Sequence, residues 1–146
     1  MRRVLVLGGM LAVALTSAGC GASSVVAERD SGTGREAASV PCEEALDFAG
    51  LRGLPAGASE AECVVAGALD TYYDIRIRVP RADFDTWLAS AYPGTELTAR
   101  CVDEEADACA GITLDPPAEG GAVAIDVSVE DGEGDTALVR LRPFNT

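Results

Sequence analysis

The chain of 146 residues carries 24 aspartates and glutamates against 11 arginines, with no lysine and no histidine, for a net charge of −13 at pH 7. That balance excludes binding to nucleic acid or to an anionic membrane face by charge, because both need clustered cations. The missing histidine also excludes Ser-His and Cys-His catalytic couples.

Arg2 and Arg3 are followed by a charge-free apolar run, Val4 to Leu15, and then by Thr16-Ser17-Ala18-Gly19-Cys20. The run is shorter than the roughly 20 residues that a helix needs to cross about 30 Å of hydrocarbon. It therefore reads as an export signal, not a structural element. Ser17-Ala18-Gly19-Cys20 resembles the lipobox of bacterial lipoproteins, usually Leu, a small residue, Gly or Ala, then Cys; Ser17 stands where Leu is commonest. The resemblance implies that the Cys20 thiol takes a diacylglycerol, that cleavage falls between Gly19 and Cys20, and that the new amine is acylated. The protein would then sit on the outer face of the cytoplasmic membrane, with the lipid on Cys20 as its whole attachment, since two or more acyl chains anchor stably where one does not. The alternative is an ordinary signal with Thr16-x-Ala18 as its small-residue site, which leaves Cys20 a free thiol and the protein secreted. Cysteine arithmetic favours lipidation: of five cysteines, giving Cys20 to lipid leaves an even four. Arg2-Arg3 forms half of a twin-arginine pattern, but no Ser or Thr precedes the pair and no Lys follows, so the general secretory route is expected. The all-arginine usage with abundant Ala, Gly, Val and Asp resembles high-GC actinobacterial coding, in composition alone.

The 126 residues beyond position 20 suit one domain with one core, and nine arginines against 24 carboxylates leave them a net charge of about −15. Gly21 to Val40 lacks an apolar period and reads as a flexible tether with a root-mean-square span of about 25 Å. Ser31-Gly32-Thr33-Gly34 lacks the Lys and the preceding strand of a phosphate loop and belongs to that tether. A single α+β domain is expected over residues 41–146, with an antiparallel sheet of about four to six strands, one main helix packed on one face and a short N-terminal helix. The N-terminal helix is placed at Pro41 to Ala49: Pro41 fits an early helical position, and Glu43 and Glu44 favour the positive end of the dipole. Gly50, Gly53, Pro55 and Gly57 end it in a loop.

Cys63 to Leu69 and Tyr72 to Val79 read as two strands joined at Asp70-Thr71. In the second, Tyr73, Ile75, Ile77 and Val79 alternate with Tyr72, Asp74, Arg76 and Arg78, the period of a half-solvated antiparallel strand. After Pro80 the period changes. Phe84, Trp87, Leu88 and Ala91 form one helical stripe over Arg81 to Tyr92, with Asp83 and Asp85 near its start and Pro93-Gly94 as its stop. This is the main helix, and Trp87 is expected in the core and not as a ligand platform. Thr95 to Arg100 and Ala110 to Leu114 read as short strands. Ala122 to Glu130 and Thr136 to Arg142 form the clearest hairpin, its valines on one face, with Val127 expected opposite Val139 and Asp126 opposite Arg140.

Cys42, Cys63, Cys101 and Cys109 allow three pairings. Cys42 with Cys63 ties helix to strand, and Cys101 with Cys109 closes neighbouring strand ends, so this set is favoured; by loop entropy the two bridges stabilise by about 3.4 and about 2.6 kcal/mol. Zinc is not expected, since the spacing lacks C-x-x-C and an exported chain favours disulfides. The acids Asp103, Glu104, Glu105 and Asp107 read as a solvated tip and not a calcium site, because carboxylates adjacent in sequence seldom converge on one point. Asp131-Gly132-Glu133-Gly134-Asp135 reads as the hairpin turn, since Arg142 stands where a calcium loop needs its bidentate Glu. No cofactor is expected. Arg76 and Arg78 on the exposed strand face are the ligand-binding candidates, suited to a carboxylate or phosphate. The functional expectation is a lipid-anchored, non-enzymatic binding or interaction module whose partner is a cell-wall component or an exported protein. The alternative is a small surface hydrolase or a secreted enzyme inhibitor acting through the acidic loop.

Overall fold

The computed structural model describes residues 37–67 and 69–146. The expected export signal with Cys20, and the expected tether as far as residue 36, lie outside the described residues. The elements run β1 (Ala38–Ser39), α1 (Cys42–Ala49), β2 (Ser59–Ala66), β3 (Tyr72–Pro80), α2 (Arg81–Ala91), β4 (Ala108–Thr113), β5 (Ala124–Asp131) and β6 (Thr136–Phe144). The strands form one antiparallel sheet in the order β1-β2-β3-β6-β5-β4. The fold is α+β, an open six-stranded sheet with two helices. Among the described residues no helix is long and apolar enough to cross a membrane.

Alternation builds the core. Ile75, Ile77 and Val79 of β3, Ala137, Val139 and Leu141 of β6, and Ile125, Val127 and Val129 of β5 all point to one face and are almost fully buried. Both helices send side chains into that same core, Ala45, Leu46 and Ala49 from α1 and Phe84 and Leu88 from α2. Helix α1 carries Glu43 and Glu44 in its first turn and closes on Gly50, whose φ of 69° is the left-handed conformation that glycine takes at little cost. In α2 the stripe is narrower than the sequence suggests. Phe84 and Leu88 are buried and Trp87 half-buried, its indole N–H donating to the Gly53 carbonyl at 3.2 Å, while Ala91 faces solvent.

Several boundaries differ from the sequence reading. Ala38 and Ser39, assigned above to the tether, pair with Val65 and Val64 as β1, so the ordered body begins before Pro41. Strand β2 starts at Ser59 and ends at Ala66, with an irregularity between Ser59 and Glu62 where Glu60 takes a φ of 50°. Thr95 to Arg100 is not a strand: one bridge, Thr98 to Cys109, is all that joins it to β4.

The β5–β6 hairpin keeps its faces but shifts its register by two residues. Val127 lies opposite Leu141, Val129 opposite Val139, and Asp126 opposite Arg142 where Arg140 was expected. The reason lies in the turn. Gly132 N–H donates to the Thr136 carbonyl, so the loop tightens around Gly134, the residue with a φ of 68°. A two-residue shift leaves every side chain on its own face; a one-residue slip would have turned the valines outward.

Candidate functional site

The helices cover one side of the sheet and leave the other side open. On this outer face the register lays out rows of side chains across the strands. One row runs Glu62, Arg76, Arg140, Ser128, Cys109; the next runs Val64, Asp74, then Arg142 by the same register, Asp126, Gly111. The arginines come from two Arg-x-Arg stretches, Arg76-Ile77-Arg78 in β3 and Arg140-Leu141-Arg142 in β6. In each, the intervening apolar residue enters the core and turns both guanidinium groups outward.

Asp74 is the hub of this lattice. It is 8 % exposed although it lies on the outer face. The Arg140 Nε donates to both of its oxygens, at 2.9 and 3.0 Å; the Arg140 Nη2 donates as well; and Arg76 reaches it at 3.4 Å. Burial alone would raise the carboxyl pKa, but the hydrogen bonds from Arg140 and Arg76 outweigh it and hold the group below its ordinary value. Arg78 pairs with Glu60 at 2.9 Å. The two arginines singled out from the sequence thus sit side by side on the outer face, each with a carboxylate partner.

The concavity lies beside them. Segment 93–103 is held against β4 by the Thr98–Cys109 pair, with both N–H···O distances 2.8 Å, and by the Cys101–Cys109 disulfide. Between this segment and the outer face runs a groove of about 910 Å³ whose floor carries Arg140, Arg142, Asp126 and Ser128 and whose wall carries Arg100. A second depression of about 740 Å³, toward Leu69 and Tyr72, shares Asp126, Arg140 and Arg142 with the first. The exposed large hydrophobic residues, Leu69, Tyr72 and Val102, line one or other of these hollows. Sequence reading missed Arg100, Arg140 and Arg142 as groove residues, although the repeated Arg-x-Arg was a visible signal that both strands aim cations at one side.

The other disulfide, Cys42–Cys63, joins α1 to β2 with Cα atoms 5.2 Å apart. In the acidic loop, Asp103 accepts the Glu105 N–H at 3.1 Å and Asp107 accepts the Asp131 N–H at 2.8 Å. These carboxylates brace backbone, and among the described residues no group of three or more acids or cysteines is placed to hold a metal ion. Compared with known proteins, the chain matches no family model, no curated protein and no solved structure.

Proposed function

We propose that this chain is an extracytoplasmic lipoprotein, anchored through Cys20 to the outer face of the cytoplasmic membrane, whose body is a non-enzymatic module that binds a cell-wall component or an exported protein. The observation that carries the binding reading is the asymmetry of the sheet. One face is closed by two helices; the other is open, grooved, rich in arginine on an otherwise acidic chain, and rimmed by exposed Leu69, Tyr72 and Val102. Two disulfides support an oxidising compartment, and the even number of cysteines beyond position 20 supports lipid on Cys20.

The test has two arms. Mass spectrometry of the mature protein should find an acylated Cys20 at the N-terminus; an unlipidated end beyond Cys20 overturns the anchor. Photo-crosslinking in intact cells from position 102, at the groove rim, should capture a partner that position 89, exposed on α2, does not. Equal capture from both positions overturns the outer face as the binding surface.

A further inference from the structure

We infer that the groove takes the C-terminal carboxylate of a short extended peptide, with Arg142 as the group that receives it. This deepens the binding reading above and rests on it. Arg142 is the arginine of the outer-face lattice that the fold leaves unsatisfied. Asp74 and Asp126 flank it in its row, yet Asp74 gives its oxygens to Arg140 and Arg76, and among the described residues Arg142 has no carboxylate within 4.0 Å. Its Nε is buried without a hydrogen-bond partner. A buried donor left unmade is costly, and the guanidinium that carries it also lines the groove, where its ionised edge can make charge-assisted bonds to an incoming anion.

A way in exists from the sheet edge. In an antiparallel ladder, alternate residues turn their N–H and C=O groups toward opposite neighbours. Cys109 bonds outward to Thr98, so Gly111 and Thr113, on the same alternation, offer their backbone groups at the free edge of β4. There Pro93 to Glu96 line the groove, and among the described residues none of them makes a backbone hydrogen bond to Gly111 or Thr113. From β4 to β6 is two inter-strand spacings, about 10 Å, which about three extended residues span. Gly111 keeps that path open, since it has no side chain, and a Cβ placed there would lie 3.8 Å from the Asp126 Oδ1. Asp126 borders the path as a groove-lining carboxylate that can accept a peptide N–H. One unpaired guanidinium between two carboxylates suits a singly charged, planar carboxylate, and the flanking negative charge disfavours a phosphate dianion.

The test uses the mature exported chain, labelled for amide NMR, with acetyl-trialanine as the probe. The free acid should shift the amides of Gly111, Asp126 and Arg142 at millimolar concentration; the same peptide with an amidated C-terminus should bind at least tenfold more weakly, and inorganic phosphate should not displace the acid. Arg142→Gln should lower affinity about tenfold or more. Gly111→Val, a change that suits a strand and leaves every cation in place, should block binding with the remaining amide spectrum intact. Equal binding of acid and amide, preference for phosphate, or full affinity in both variants overturns the proposal. If a cell-envelope extract shifts these amides while the acid peptide does not, the ligand class falls and the binding face stands; if neither shifts them, both fall.

Discussion

Asp74 shows how far one residue's role departs from its place in a pattern. Alternation along β3 puts it among solvated charges, yet it is buried and held by the guanidinium of Arg140, 66 positions further along the chain, which donates to both of its oxygens. Nothing local to Tyr72–Pro80 announces that partner. Asp74→Asn would leave Arg140 without its charge partner. We expect a loss of about 2 kcal/mol at neutral pH, below the range for fully buried pairs because the Arg140 side chain keeps 29 % exposure and can turn toward water. Urea denaturation measures it. The sign with pH follows from the lowered carboxyl pKa: the contribution is present above the unfolded value of about 3.9 and is lost as pH falls through the lower folded value. The difference between wild type and Asp74→Asn should therefore shrink in acid. A difference that stays constant down to pH 2 would mean that the pair contributes nothing through its charge.

Elements with a strong period were legible and those made by a single contact were not. The alternation in β3, the stripe in α2 and the paired valines of β5 and β6 each repeat often enough to outvote local noise. Strand β1 has two residues, and segment 95–100 touches β4 through one bridge, so neither has a period to read. The β5–β6 register failed for another reason: alternation fixes the face, but the turn fixes the partner. Gly134 decides that turn by its positive φ, and a Cβ there would meet nothing within 4 Å. Gly134→Ala should thus cost about 1 kcal/mol from backbone strain alone, seen as a lower denaturation midpoint, while Gly134→Asn should cost less because Asn tolerates the left-handed region. The Cys101–Cys109 bridge closes only eight positions of chain, but it pins the wall of the groove. Replacing both cysteines by serine should destabilise by roughly 2 to 3 kcal/mol. It should also speed amide exchange at Thr98 and Cys109 beyond that global loss, since the bridge is what holds segment 93–103 on the edge strand. Exchange at Val127 and Val139 should follow the global loss alone.

At the scale of the molecule, the chain gathers its few cations. Five of the nine arginines beyond position 20, namely Arg76, Arg78, Arg100, Arg140 and Arg142, lie on or beside the outer sheet face. The two Arg-x-Arg stretches could be read from the sequence, but their adjacency could not, because β3 and β6 are joined through α2, β4 and β5 and meet only once the sheet closes. The rest of the surface is left strongly acidic, with no histidine to titrate near neutrality. Three groups then bound the pH range of the fold, Asp74 on the acid side and two tyrosines on the alkaline side: burial, and then the hydrogen bond that Tyr73 donates to Glu44, raise the Tyr73 phenol, and Tyr92 is raised as well. Asp74 loses its contribution on the acid side. On the alkaline side burial pushes Tyr92, packed edge-on to Trp87, up to about 12; its contribution is complete below the unfolded value of about 10 and is lost as pH rises through about 12. Stability should accordingly run flat from about pH 5 to about pH 9, because no histidine is present and the four described cysteines are all in disulfides. Denaturation midpoints across pH 3 to 11.5 test this. In Tyr92→Phe the alkaline limb should become shallower but persist through Tyr73 while the acid limb stays unchanged, and a midpoint that drifts steadily between pH 6 and 8 would show that a titrating group outside these three governs the fold.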